Sequence, residues 1–363
     1  MQFEQCTLDE VAEALEFLDA GVSRADWILL GMAIKSEFGE GGRSTFEDFS
    51  QKSDKYSKAD FKAAWKSIKQ GGRTNIATLF KLAIDKNYKP VKTQFTEDEK
   101  QKRQHESQAR RVLREQETAE EQRLLTELQN HISVVSEIIW NNLPLDGESE
   151  YLNKKQVNSC GARVVKKPFM IVVDLVKNIA KILVDYQDMI EMATFKKQNP
   201  DAVSFHWLKL GTLVLPMFDI NQKLWSLQFV LPNGTKLFIK NSRKSGTCFL
   251  LGSAYDLDAN TPICLAEGFA TGASIHMATG YPVFVCWDDG NLVKIAQDVR
   301  HTFPNQLMLI CGDNDLYDKK TGEKNGKNAG VIAAQRAADK ANCSYALPSF
   351  AQMVSEDKEV ANV

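Results

Sequence analysis

The sequence predicts three structural parts: an N-terminal all-α domain, a mixed α+β subdomain, and a C-terminal α/β domain whose parallel sheet is covered by helices on both faces. Three observations support this. Apolar residues recur at helical spacing up to about residue 90. Short β-rich segments separated by turn residues follow within residues 151–258. From Thr261 to Pro348, apolar strands alternate with helices.

The expected boundaries follow from these changes of pattern. We expect a helical domain at residues 1–92, a charged helical linker at 93–137, the α+β subdomain at 138–258, the α/β domain at 259–350 and a tail at 351–363.

The helical domain shows start signals and apolar stripes. Thr7 with Glu10 three residues later predicts a capping box at the first helix. Trp65 and Ile68 belong to a later apolar stripe, and Thr74 or Asn75 would cap the last helix. A second helix is indicated by residues at helical spacing: Trp27, Leu30, Gly31, Ile34 and Phe38.

The linker is charged throughout. Residues 96–130 contain no Gly or Pro and mix both signs of charge, which is typical of an exposed helix with i,i+4 ion pairs. Apolar residues are too few for a coiled-coil seam. We therefore expect a spacer without an apolar face that would dock firmly on the α/β part.

The mixed subdomain begins with its most apolar stretch. Residues 169–190 are interrupted by Asp and Lys, so they predict an amphipathic helix and not a membrane span. The later segments LVLPMFD, WSLQFVL and KLFIKN predict an antiparallel meander, because turn residues such as Pro232-Asn233-Gly234 separate them.

Composition limits the functional classes. The net charge of −2 excludes a protein that is basic over its whole surface, so any nucleic-acid surface must be local. The seven cysteines include no pair within four residues, so no zinc ribbon is expected. Cysteines within apolar runs, such as Cys264, Cys286 and Cys311, indicate buried thiols in a reducing, cytoplasmic setting.

Acidic residues follow the predicted strands of the α/β domain. Glu267 ends the first strand, Asp288 and Asp289 the second, and Asp313 and Asp315 the third. Functional groups of open parallel sheets gather at the carboxyl ends of the strands, and residues two apart point to the same side. Such carboxylates form an oxygen site for Mg²⁺ or Mn²⁺. The alternative is that Asp-Asn-Asp only forms a turn.

A basic loop precedes this domain. No Asp or Glu occurs from Ile220 to Tyr255, while the span carries several cations: Lys223, Lys236, Lys240, Arg243 and Lys244. The segment 240–246 predicts a phosphate-binding loop. Its alternative is a solvated hairpin tip. A further lysine-rich loop after Asp315 (Lys319, Lys320, Lys324 and Lys327) has the same two interpretations.

Segments of the α/β domain and of the region before it resemble a known protein family. AEGFATGASIHMATGYPVFVCWDDGNL and LICGDND resemble the Toprim domain of phage- and plasmid-type DNA primases. LVLPMFDINQKLWSLQFVLPNGTKLFIKNSRKSGTCFLLG and IIWNNLPLDGESEYLNKKQV resemble the primase core that precedes it. The likeness covers residues 138–350, with an insertion between Val165 and about Leu210.

The resemblance implies residue roles. Glu267 would be the acid-base glutamate, with Asp313 and Asp315 the metal-binding pair for Mg²⁺ or Mn²⁺. Asp288 and Asn291 match an Asp-x-Gly-Asn turn. The cations Lys240, Arg243 and Lys244 match a loop that faces template or nucleotide.

The N-terminal part resembles the helical primase C-terminal domain, PriCT, through Trp27, Gly31-Met32-Ala33, Trp65 and GGRTNIATLFKLA. The expected activity is the synthesis of RNA primers on single-stranded DNA from ribonucleoside triphosphates, with a helicase fused or separate as a further partner. A Toprim nuclease, or a non-catalytic module that binds nucleic acid or a helicase, is the alternative. Two features of the family, a zinc ribbon and a downstream Asp-Phe-Asn-Asp stretch, do not occur in the sequence. We therefore expect either part of a longer primase-helicase or an incomplete metal site.

Overall fold

The computed structural model describes residues 6–68, 74–90, 96–145, 147–314 and 328–348. The chain forms two compact units, residues 1–124 and 125–363. Among the described helices, none combines the length and the apolar content needed to cross a membrane.

The first unit is helical. Thr7 Oγ1 accepts a hydrogen bond from the Glu10 backbone N–H, and Glu10 Oε2 accepts one from the Thr7 N–H at 2.8 Å. The predicted capping box is therefore confirmed. Asn75 precedes the last helix of the bundle, without a side-chain cap hydrogen bond. The helices are α1 (Leu8–Leu15), α2 (Arg24–Phe38), α3 (Arg43–Ser50), α4 (Lys58–Ser67) and α5 (Ile76–Asp85).

Aromatic side chains fill the core of this unit. Phe46 and Phe61 are fully buried, and Trp65 is 3% exposed. Gly31 lies in α2 where a Cβ would be 2.7 Å from the Phe46 ring and 2.8 Å from Ile68. The helix therefore approaches its neighbours at a distance that only glycine allows.

The long helix α6 (Glu97–Asn142) contributes to both units. In the first unit, Arg103 pairs with Glu10 at 2.9 Å, and Arg110 and Arg114 both contact Glu37. Exposed pairs such as Arg111 with Glu115 support the helix itself, as predicted.

In the second unit the last turns of α6 bury four apolar side chains: Leu128, Ile132, Val135 and Ile139. The expectation of a spacer without an apolar face is wrong for these turns, because the i, i+4, i+7 and i+11 positions form a core-facing stripe.

The second unit contains a nine-stranded mixed sheet. The strands are β1 (Arg163–Val164), β5 (Leu213–Asp219), β6 (Leu224–Val230), β7 (Lys236–Phe238), β8 (Thr247–Leu251), β9 (Ile263–Ala266), β10 (Val283–Val285), β11 (Met308–Cys311) and β12 (Ser344–Ala346). Their order in the sheet is β12-β11-β9-β10-β8-β5-β6-β7, with β1 beside β5. Strands β5, β6 and β7 form the predicted antiparallel meander.

Strands β10, β9, β11 and β12 are parallel, as predicted. Helix α9 (Phe269–Thr279) packs on one face of them, and α10 (Asp289–Thr302) and α11 (Ala329–Ala341) pack on the other. Alternate residues of β9 face opposite sides of the sheet. Cys264 packs on the side of α9, and Leu265 packs on the side of α10 and α11. Apolar side chains on both faces explain why these strands are continuous apolar runs.

Strand β8 joins the two halves of this sheet. Thr247 and Cys248 pair with β5, whereas residues 249–251 pair antiparallel with β10. The meander and the parallel strands therefore share one hydrogen-bonded sheet.

The expected helix at residues 169–190 is wrong. Residues 169–174 form β2 and 179–183 form β3, and these pair antiparallel; only α8 (Tyr186–Gln198) is helical. The β-branched run Ile171-Val172-Val173 favours a strand, and Asn178, with φ of 57°, turns the chain. With β4 (Val203–Leu208) these strands form a separate three-stranded sheet, within the region predicted to be an insertion. Short α7 (Glu150–Lys155) completes the helices.

Candidate functional site

Two predicted acidic residues lie at the ends of adjacent parallel strands. Ala266 of β9 is level with Cys311 of β11 in the hydrogen-bonded register. Glu267 follows the first by one residue, and Asp313 follows the second by two. Both side chains are half-buried. The fold therefore places these two carboxyl groups at the same edge of the sheet, as the sequence predicted.

Asp288 follows β10, on the other side of β9. Burial raises the pKa of the Cys286 thiol, and the carboxylates of Glu267 and Asp288 raise it further. The acidic residues of this edge therefore extend from the end of β9 to the end of β10.

Asp315 lies outside the described residues, as do Lys319, Lys320, Lys324 and Lys327. Within the ranges that the structure describes, no group of three or more His, Cys, Asp or Glu side chains could hold a metal ion. The predicted metal set thus comprises Glu267 and Asp313 in described positions, with Asp315 still a prediction.

The basic loop (residues 240–246) lies in the connection between β7 and β8 and borders the same edge. The Lys244 ammonium contacts the Asp288 carboxylate and lies 4.5 Å from the Phe238 ring centre. Lys240 is exposed, and the Arg243 guanidinium lies 4.2 Å from the ring centre of Trp225. The three predicted cations therefore differ: one is paired with an acid, one lies over an indole and one faces solvent.

Asn291, the last predicted site residue, is 5% exposed and ties this loop to α10. Its Oδ1 accepts a hydrogen bond from Gly246 N–H at 2.8 Å. Its Nδ2 donates to the carbonyls of Thr247 at 2.7 Å and Cys286 at 2.9 Å. Its own N–H donates to Asp288 Oδ1, which caps the helix. Asn291 therefore positions the basic loop, and its buried side chain is fully engaged in doing so.

Two further residues belong to this site. A Cβ at Gly268 would lie 3.6 Å from Lys236 Nζ, so this ammonium reaches the start of α9, next to Glu267. Trp225 is half-buried, and Lys223 Nζ also lies over its ring at 3.8 Å. The acid-free stretch was the sequence signal for Lys236, whereas nothing local indicated the role of Trp225.

Gly272 allows α9 to pack closely on the sheet. A Cβ there would lie 2.9 Å from Val285 Cγ2, so α9 sits close to β10 only because the residue is glycine. This close approach helps to fix the start of α9, and with it Glu267, against the sheet.

Comparison with known proteins finds similarity to DNA primases over parts of the chain. Residues 11–83 match the family described as Primase C terminal 2 (PriCT-2). Two Escherichia coli proteins, each named DNA primase TraC, are 34% and 33% identical over 137 residues, which is 38% of this chain. The chain is therefore homologous to DNA primase TraC, and the predicted resemblance to DNA primases is confirmed.

The matched region is 13% and 9% of the length of these two relatives, so they extend far beyond it. Two solved structures are more distant. One is bacteriophage T7 lagging-strand DNA polymerase with the primase domains of two gp4 subunits (15% identity, TM-score 0.29, 43% of this chain and 79% of that chain). The other is the DnaG catalytic core (13% identity, TM-score 0.32, 60% of this chain and 66% of that chain). TM-scores this low carry no weight for the fold.

Proposed function

We propose that this protein is a DNA primase that makes short RNA primers on single-stranded DNA by divalent-metal-dependent nucleotidyl transfer. The observation that carries the proposal is that two acidic residues and the basic loop lie at the same edge of the sheet. Glu267 and Asp313 follow adjacent parallel strands there, and the basic loop is bound to the same edge through Asn291. Homology to DNA primase TraC supports the choice of reaction.

The donor set suits Mg²⁺ or Mn²⁺ in a Toprim-type site. Carboxylate oxygens are the ligands that these hard ions prefer, and Mg²⁺ needs only one or two of them in addition to phosphate oxygens and water. Glu267, Asp313 and Asp315 would hold the ion, which would supply charge stabilisation for the phosphoryl group and the departing pyrophosphate.

The residues of the chain would orient the reacting groups. The 3′-hydroxyl oxygen of the growing primer attacks the α-phosphorus of a ribonucleoside triphosphate, and the bond from that phosphorus to pyrophosphate breaks. Glu267 would accept the hydroxyl proton at a carboxylate oxygen. The Lys236 ammonium, at the start of α9, would bind the phosphate that faces this helix N-terminus.

The basic loop would hold the template or the triphosphate. Lys240 is exposed and Arg243 lies over Trp225, so both can reach a phosphate without leaving an acidic partner. Lys244 already contacts Asp288 and would act more weakly. The helical domain would add a template contact, and a helicase, fused or separate, would be a further partner.

The test is incorporation of labelled ribonucleotide by the full chain. The template is circular single-stranded DNA, which has no 3′ end to extend, and Mg²⁺ and Mn²⁺ are used in parallel. We expect short RNA products that disappear in Asp313→Asn and persist in the matched control Asp289→Asn, whose side chain is exposed. Absence of RNA with both metals contradicts the proposal. Degradation of labelled single-stranded DNA would indicate the nuclease alternative, and binding without either reaction the non-catalytic one.

A further inference from the structure

The helical unit contains a pocket of about 260 Å³, which no part of the proposed catalytic site uses. The starts of α2 and α4 and the segment between α3 and α4 form its walls. Pockets that enclose whole drug-sized ligands are usually about 300–1,000 Å³. This one is therefore suited to a single ring system and not to a larger molecule.

Aromatic rings line the pocket and are held in fixed positions. Trp27 and Tyr56 are half-buried and each contacts the buried ring of Phe61, with centroid distances of 6.2 and 6.3 Å. The indole N–H of Trp27 donates to Ser50 Oγ at 2.9 Å, and the Tyr56 hydroxyl donates to Glu47 Oε1 at 2.9 Å. Since these rings are already immobilised, a planar ligand that packs on them loses little additional freedom of the protein.

The rim of the pocket is polar and carries cations. Arg24 and Asp60 form two hydrogen bonds, one of 2.9 Å, and the guanidinium lies 5.6 Å from the Trp27 ring centre. This ion pair keeps N–H donors and carboxylate acceptors together at the opening. Lys55 also lines the pocket, and its exposed ammonium forms no ion pair among the described residues.

We propose that this pocket binds one unstacked base of a single-stranded nucleic acid, with the adjoining phosphate against Lys55. Every base has a π-face that can pack on aromatic side chains, and bases also carry edge groups that hydrogen-bond to an Arg–Asp pair. An apolar peptide side chain would use the rings but not the charged rim.

A free nucleoside triphosphate shares this chemistry. It carries several negative charges, however, and the pocket offers one unpaired lysine and an arginine that Asp60 already neutralises. A single phosphodiester is the better match in charge. The proposal does not depend on catalysis at the sheet edge, since the pocket lies wholly within residues 20–61.

The test is photo-crosslinking of the full chain to an oligodeoxynucleotide with 5-iododeoxyuridine at one position, followed by peptide mapping. We expect a crosslink at Trp27 or Tyr56. The mapped position distinguishes this pocket from DNA bound elsewhere on the chain, so a catalytically inactive protein still gives an answer. Crosslinks that map only outside residues 20–61, or no crosslink at all, overturn the proposal.

Two rim variants avoid the buried core. Ser53→Trp fills the opening and should lower the crosslink yield at Trp27 or Tyr56 roughly tenfold, the scale of one base–aromatic contact. Lys55→Glu reverses the unpaired charge beside the proposed phosphate and should lower the yield as well. The matched control is Lys62→Glu, an exposed residue of α4 that does not line the pocket, and its yield should stay unchanged.

Circular dichroism establishes that the variants are folded. Unchanged yields in both rim variants overturn the proposal. Binding of a free nucleotide is tested by adding ATP without divalent cations, at the same nucleotide concentration as the oligonucleotide. Loss of the crosslink under that condition would assign the pocket to free nucleotide and overturn the single-strand assignment.

Discussion

The side chain of Asn291 holds the backbone of Gly246, which lies 45 positions away in the sequence, through a hydrogen bond of 2.8 Å. The same amide donates to two carbonyls, those of Thr247 and Cys286. One buried residue thus fixes the end of the basic loop beside the acidic sheet edge.

Asn291→Asp should destabilise the second unit. The substitution places a carboxylate against two carbonyl oxygens and near Asp288, so both buried hydrogen bonds are lost. We expect the free energy of unfolding to fall by about 2–4 kcal/mol, the cost of leaving such groups unpaired. Chemical denaturation measures it. Asn233→Asp, at an exposed turn where the side-chain oxygen accepts from Thr235, is the control and should change stability little. Equal stability of the two variants would contradict the positioning role.

Removing either described carboxylate of the proposed metal site should stop metal-dependent synthesis. Glu267→Gln and Asp313→Asn each remove a negative charge without changing side-chain size. We expect primer synthesis to fall by at least about 100-fold, because stabilisation of the reacting phosphate by a metal contributes several kcal/mol. Mn²⁺ binding measured by calorimetry should weaken in parallel, with thermal stability retained. Full activity in Asp313→Asn would remove this residue from the site.

Neutralising the basic loop should change how binding to single-stranded DNA depends on salt. Lys240→Ala with Arg243→Ala removes two of the proposed phosphate contacts, so the slope of log affinity against log salt should become shallower by about 1.4. Fluorescence anisotropy at several salt concentrations measures this slope. Lys181→Ala with Lys209→Ala, two exposed lysines of the same unit, makes an equal charge change elsewhere. If both double variants keep the original slope, the loop is only a solvated turn.

Two glycines of the helical unit should respond differently to alanine. Gly31→Ala places a methyl group 2.7 Å from the Phe46 ring, and the overpacking should cost about 1–3 kcal/mol despite the better helix propensity. Gly41→Ala meets open space and should change the free energy of unfolding by less than about 1 kcal/mol. Equilibrium denaturation of both variants compares them, and equal stability would mean that α2 does not need its close approach.

Buried thiols should make the second unit less stable at high pH. Burial raises the pKa of Cys248 to about 12, with smaller contributions from Asp219 and Asp298, and it also raises that of Cys286. Between pH 9 and 12 the unfolded chain loses these protons while the folded chain keeps them, so stability falls as pH rises. Cys248→Ala removes one of these ionisations and should flatten the decline. Denaturation curves at pH 8 and pH 10.5 measure the difference, and an equally steep decline in the variant would contradict the assignment.

The parallel strands could be predicted because their burial on two faces leaves continuous apolar runs, as in Ile263–Ala266. The acidic edge followed from the same pattern, since carboxyl ends of parallel strands meet. For residues 169–190 the predicted helix was wrong, because apolar residues interrupted by charges are compatible with both helical and strand spacing. The β-branched residues and the Asn178 turn decide in favour of strands.

The role of Asn291 could not be derived from its neighbours in sequence. Its partners Gly246 and Thr247 come from a different strand and loop, so the signal exists only after the sheet has formed. The same holds for Trp225, because Arg243 reaches its ring from the far side of a hairpin. Local patterns predicted which residue types surround the site, whereas long-range contacts decide which of them are already engaged.

The pairing of β8 with both β5 and β10 limits how the two halves of the sheet can move. Since β8 pairs with β5 at Thr247 and with β10 from Phe249, the half that carries the basic loop and the half that carries the carboxylates cannot rotate apart without breaking ladder hydrogen bonds. Clamp-like closure between these two halves would require those ladder hydrogen bonds to break, so we expect the loop and the acids to keep their spacing once the sheet has folded. Under the proposed function, adjustment to successive nucleotides would therefore fall to exposed side chains such as Lys240 and not to movement of the sheet.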